Sequence, residues 1–270
     1  MIFNVSLSLT LFLITLAVSF LYTRYESKVQ FLFGGRKFRL WDAFLFVAAM
    51  GIMVTILAFI PKLDIIKVFF LSVYSLALFT FTYLVVPKWY FAVLSPTSFV
   101  VLYLLYWNIY FLNIFAVIFA IFASICLGTI FIWKTTAVFA ALLTIMDIVH
   151  VLITGFMVVY GEKVLALGLP AMVIIPTFPS WFPERWTALG LGDILLAGLL
   201  VIQTSKRYGR RFGIMTAIAI AAVFLLFETI LLNFFAEYFP ATVMVVCGWL
   251  TALGARHLYE SRMFRHAKAE

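Results

Sequence analysis

Apolar runs of about 20 residues succeed one another along almost the whole chain, broken only by short basic or Pro-containing segments. A run of that length is what an α-helix needs to cross the hydrocarbon core of a bilayer. Inside that core each backbone N–H and C=O must find its partner within the protein, which leaves helices or a closed barrel. A barrel would show alternating segments of about 10 residues, and none appears. The runs lie at about 3–22, 42–60, 66–86, 89–107, 113–133, 136–158, 186–203, 212–234 and 239–255. Composition agrees. Of the 270 residues 66% are hydrophobic and 11% charged, whereas soluble domains carry about 25% charged residues. A soluble enzyme and a disordered chain are both excluded. The expected fold is all-α, a polytopic membrane protein of about nine transmembrane helices. It forms a single domain over 1–270, with helices one to five in 1–135 and six to nine in 136–270.

The net charge of +8 is not a nucleic-acid footprint, and no nucleic-acid partner is expected. Lys and Arg gather in the segments between runs, where they orient the chain in the membrane. With nine spans, 15 of them fall on the side reached after spans one, three, five, seven and nine, and 4 on the other. The positive-inside rule then sets the N-terminus outside and the C-terminus in the cytoplasm. Within the basic segment Lys206-Arg207-Tyr208-Gly209-Arg210-Arg211, Arg210 and Arg211, together with the tail cations, are expected to meet anionic headgroups of the lipid bilayer. The first run lacks a cationic leader and a small-residue cleavage site, so a cleaved signal peptide is not expected. Cys126 and Cys247 lie inside apolar runs and read as small buried hydrophobes.

Carboxylates inside a span are costly, by roughly 2.5–3.5 kcal/mol on insertion scales, and usually serve a site. Asp147 lies in the middle of the sixth run and Asp193 early in the seventh, in Gly190-Leu191-Gly192-Asp193. Neither has a basic residue within helical reach. Two carboxylates brought together at low dielectric share one proton. The ionised partner can then take a proton from water while the protonated one polarises a peptide carbonyl. The missing side chains of Gly190 and Gly192 let another backbone approach Asp193. Gly190, Asp193 and Ala197 fall at i, i+3 and i+7, which places the two small residues on the Asp face of the expected helix.

These residues carry a resemblance. Gly190-Leu191-Gly192-Asp193 looks like the GxGD motif of the intramembrane aspartyl proteases of the presenilin and signal peptide peptidase family. The family's second Asp lies on the preceding span, and Asp147, after Met146, stands at that place. Phe239-Pro240-Ala241-Thr242 stands where the family's Pro-Ala-Leu motif opens the last span, with Thr242 in place of Leu. Leu169–Pro176 is similar to the family's Pro-bounded apolar stretch before the seventh span. The resemblance covers about residues 140–245 and implies an aspartic endopeptidase that cuts transmembrane segments. Asp147 and Asp193 would be catalytic, and Gly190, Leu191, Gly192, Pro240, Ala241 and Thr242 would form the active-site motifs. It implies no cofactor and no metal. The substrates would be transmembrane peptides or signal peptides. Combined with the charge count, the orientation is that of signal peptide peptidases and suits type II segments. A compact chain without long loops is expected to act without obligate partner subunits, and its oligomeric state is left open.

Further expectations concern the approach to the site. A break near Gly155 would bring Asp147 and Asp193 to one level. The β-branched stretch 171–177 would pair with an unwound substrate as an added strand. His150, at i+3 from Asp147, either bonds it or turns to the loop side. Glu228 sits in the eighth span with no evident partner. A proton-coupled transporter or channel would use the same aspartates as a relay. Its usual signs are repeats and broken helices in both halves; neither is visible, and the acids Asp42 and Asp64 of the first half are interfacial. A binding protein that holds membrane segments without cutting them is a third reading.

Overall fold

A computed structural model describes residues 4–178, 186–234 and 239–266, with side chains to Ser261. Arg185 and the tail cations Arg262, Arg265 and Lys268 lie outside the described side chains. The elements run α1 (Ser6–Leu32), α2 (Leu40–Phe59), α3 (Leu63–Val85), α4 (Trp89–Leu105), α5 (Ile109–Ile130), α6 (Trp133–Ile148), α7 (Phe156–Ala166), β1 (Met172–Pro176), β2 (Trp186–Gly190), α8 (Leu191–Tyr208), α9 (Arg210–Phe234) and α10 (Ala241–His266). Among the described residues seven helices are long and apolar enough to cross a membrane: α1, α2, α3, α5, α6 with the turn that follows it, α9 and α10. The chain is an all-α, multi-pass integral membrane protein. α4 has only 17 residues and α8 only 18, the latter with Asp193, Lys206 and Arg207 among them.

Local chemistry sets the breaks. Gly34 and Gly35, at φ 57° and 69°, end the turn after α1. Pro61 and Pro87 stand in the next two connections. The weakest boundary in the sequence, near Trp107-Asn108, is made by Asn108. Its side chain accepts from the Tyr110 and Phe111 amides at 3.0 Å and starts α5, as Asn does at helix N-caps.

α8 lies at the centre. Every residue from Leu196 to Thr204 is buried, the mark of a helix enclosed on all sides. Gly198 brings it against Ser124, and Gly128 of α5 brings it against Ile202. α1, α5, α6, α9 and α10 surround it. α3 and α4 form a hairpin that packs on α5 through an aromatic cluster including Tyr74, Phe99 and Phe119.

The two ends of the bundle differ. At one, Lys37 donates to the Thr129 carbonyl, and Lys206 and Gln203 to the Gly128 carbonyl, while Lys206 pairs with Glu26 at 3.5 Å. Lys28 donates to the Leu84 carbonyl, and Arg207 and Arg256 stack on Trp133 and Tyr208. The connections after α1, α3, α5 and α8 thus share one basic end. Lys163 of α7 marks the other, donating to the Leu57, Ala58 and Ile60 carbonyls at the end of α2.

Several expected boundaries move, those of the first, sixth, seventh and ninth runs among them. The first helix continues ten residues past the apolar run, to Leu32, because Arg24, Glu26 and Lys28 carry it beyond the apolar core. The seventh run does not begin as helix: Trp186–Gly190 is β2, and α8 starts at Leu191. Asp193 is therefore the third residue of its helix, reached along an extended strand, rather than seven residues into a helix.

Candidate active site

α6 ends one residue past Asp147. A π-helical turn, Val149–Ile153, follows, and then Gly155 at φ 69°. The expected break is thus present, and π turns of this kind recur at functional sites. α7 leaves in a new direction, and its last turn is held by Tyr103 and Trp107, which donate to the Leu167 and Gly168 carbonyls at 2.6 Å.

Asp147 is 8% exposed. Asp193, in the first turn of α8, is half-buried. The two carboxylates lie close enough for their charges to act directly on each other. α6 packs on both α8 and α10, so residues 46 positions apart meet in one site. A helix N-terminus also favours negative charge in its first turn, where Asp193 sits.

The motif glycines do different things. At Gly190 a β-carbon would stand 2.9 Å from Asp193 Oδ2, so the carboxylate occupies the space that Gly190 leaves empty. Gly190 is the N-cap of α8, at φ −64° and ψ 143°. It does not share a helix face with Asp193 and Ala197, as a longer helix would require. Gly192 is exposed, with nothing within 4 Å of where its β-carbon would be. Leu191 continues the strand pairing through its amide, which donates to the Ala171 carbonyl at 3.1 Å.

Pro240 is buried and Ala241 opens α10. Thr242 is 1% exposed and lies beside the Asp147 carboxylate. Among the described residues its hydroxyl has no partner within hydrogen-bonding geometry. All three motifs therefore reach one place.

Met146 and His150 turn the other way. A β-carbon at Gly51 of α2 would lie 3.2 Å from Met146 Sδ and 3.4 Å from His150 Cε1. The His150 ring meets the Met146 carbonyl at 2.9 Å and Thr55 Oγ1 at 3.2 Å, not Asp147. These residues, with Phe44 and Ile145, line an open apolar groove of about 490 Å³ between α2 and α6.

β1 and β2 pair antiparallel, with Ile174 opposite Ala188. The stretch 171–177, expected to take a substrate as an added strand, is paired with β2 along one edge, and on the other its Ile174 is already bonded. Asn113 of α5 donates to the Ile174 carbonyl at 2.7 Å and accepts from its amide at 2.8 Å, standing in for a neighbouring strand. Since Ile174 turns away from β2, its opposite number Ala188 turns away from β1, by the alternation of antiparallel ladders. Among the described residues no hydrogen bond reaches the Ala188 amide or carbonyl. The open edge belongs to β2, the strand that runs directly into Asp193.

Glu228 is 7% exposed and bonds Asn4. Asn4, Asn113 and Thr187 were not singled out in the sequence, where nothing sets them apart from other polar residues at span ends. Among the described residues no group of three or more His, Cys, Asp or Glu side chains could hold a metal. No protein-family model matches this chain, and no curated protein matches it. The functional reading therefore rests on its own residues.

Proposed function

We propose that this chain is an intramembrane aspartyl endopeptidase of the signal peptide peptidase type, with Asp147 and Asp193 as its catalytic pair. The observation that supports the reading best is their convergence: the packing of α6 on α8 and α10 brings the two carboxylates within electrostatic reach of each other, beside the buried hydroxyl of Thr242. Such a pair shares a proton. The ionised carboxylate takes a proton from water, whose oxygen attacks the peptide carbonyl, while the protonated carboxyl donates a hydrogen bond to the carbonyl oxygen. The tetrahedral intermediate collapses as the amide nitrogen takes a proton and the C–N bond breaks. The Thr242 hydroxyl has a free donor for Asp147 or for the attacking water.

A helical peptide bond is shielded by its own hydrogen bonds, so the substrate must unwind. The β2 edge at Ala188 offers an amide and a carbonyl to an extended segment, two residues before Gly190. The basic end of the bundle faces the cytoplasm in this reading, so the end carrying the β1–β2 hairpin faces outward and type II segments enter in the productive direction. No partner subunit is needed for this chemistry.

The test is cleavage of a bilayer-embedded type II transmembrane peptide by the purified protein beside Asp147→Asn and Asp193→Asn. Cleavage by the wild type and loss in both variants is expected. A correctly folded wild type that cuts none of several helical peptides between pH 5 and 8 would overturn the proposal.

A further inference from the structure

Asn4 is 2% exposed and uses its whole hydrogen-bonding capacity. Its Nδ2 donates to Glu228 Oε1 at 2.8 Å and to Thr187 Oγ1 at 3.4 Å. Its Oδ1 accepts from the Ser6 amide at 3.0 Å and the Phe178 amide at 3.2 Å. Two donors and two acceptor lone pairs are all that a side-chain amide has. The Val5 amide adds a bond to the Phe178 carbonyl at 2.8 Å, and Thr187 donates across the hairpin to the Ile175 carbonyl at 3.3 Å. One side chain thus ties the start of α1, the exit of β1, the entry of β2 and α9.

Glu228 is a costly residue to keep in a span. Its Oε1 holds Asn4, and among the described residues its Oε2 has no partner. Only one of its two acceptors is used, and for that an amide would serve as well. Thr187 precedes Gly190 by three residues, about 10 Å of extended chain. The same short strand carries the open edge at Ala188 and delivers Asp193. Whatever fixes Thr187 fixes both.

We propose that Asn4 and Glu228 are positioning residues, a clamp that holds the hairpin so that its β2 edge receives the substrate in one register relative to Asp193. This rests on the protease reading. The clamp acts through the hairpin and touches neither carboxylate.

The experiment compares full-length wild type, Asn4→Ala, Glu228→Leu, Glu228→Gln and the Asn4→Ala/Glu228→Leu pair in lipid bilayers. Three quantities are read: hydrogen exchange of the hairpin amides, kcat and KM on a type II transmembrane peptide, and product masses. Asn4→Ala and Glu228→Leu are expected to speed hairpin exchange about tenfold and raise KM about fivefold. They leave kcat within twofold and add products displaced by one or two residues. Glu228→Gln stays near wild type, and the pair is no worse than either single variant. Unchanged hairpin exchange overturns the clamp, as does faster exchange with unchanged KM and products. A Gln variant as impaired as Leu also overturns it, because Glu228 would then act by its charge. If the wild type cuts no peptide, the protease reading falls, and the clamp's role in substrate register falls with it. If the wild type cuts and the variants match it, only the clamp falls.

Discussion

Gly190→Ala separates catalysis from folding in one substitution. The backbone at Gly190, φ −64° and ψ 143°, is open to any L-residue. Alanine there costs no strain and restricts the unfolded chain, which is worth about 0.4–1 kcal/mol of stability. The new methyl would, however, stand 2.9 Å from Asp193 Oδ2, where ordinary contact begins near 3.4 Å. The colliding atom is the end of a side chain, so the fold yields cheaply by swinging the carboxylate aside. The required shift is about 0.5 Å. A misplacement of 1 Å at a reacting group costs about 10²-fold, so a loss of about 10–100-fold in kcat is expected, or roughly 1.4–2.7 kcal/mol in the barrier. Gly192→Ala is the control. It meets nothing within 4 Å, gains up to about 1 kcal/mol of helix propensity, and leaves kcat near wild type. Any loss there falls on KM, from the substrate backbone that approaches this face. The assay pairs cleavage kinetics on a bilayer-embedded peptide with thermal unfolding followed by tryptophan fluorescence. A stable Gly190→Ala protein with full kcat would refute the argument, as would equal kcat losses at both glycines.

Three further outcomes follow from the same geometry. Asn113→Leu removes both bonds to Ile174. At about 1 kcal/mol each, that is about 2 kcal/mol of local stability, read as about 30-fold faster exchange of the Ile174 amide; an unchanged rate would refute the edge assignment. Gly248→Ala sets a β-carbon 2.5 Å from Ile220 Cα, a backbone atom, whereas Gly128→Ala meets the end of Ile202 at 2.6 Å. Overpacking costs about 1–3 kcal/mol, and Gly248→Ala is expected near the top of that range and Gly128→Ala near the bottom when both are unfolded under matched detergent conditions. A reporter fused after Glu270 is expected to resist protease added from outside intact cells; digestion there would reverse the orientation and remove the preference for type II segments.

What the sequence revealed and what it hid divide by the range of the interaction. Apolar runs, Gly155, Pro61, Pro87 and the Asn108 cap act within a few residues, so the helices and the break after Asp147 were legible in the sequence. The start of α8 was not. Trp186–Gly190 is as apolar as a helix entrance, and only its pairing with Met172–Pro176 makes it a strand. A short apolar run carries no periodicity to separate the two. The same limit explains the site. Asp147 and Asp193 stood out because a carboxylate in a span is conspicuous wherever it lies. Asn113 and Asn4 are ordinary residues until the fold brings them, 61 and 183 positions away in sequence, to Ile174 and Thr187. Gly190 shows the two scales acting at one residue. Its place in the motif was visible in the sequence, but its physical purpose, making room for the carboxylate three residues on, depends on β2 ending where it does. In the proposed reading the β1–β2 pair is therefore the element that joins substrate edge and catalytic pair, and it is the part of the molecule that sequence periodicity could least specify.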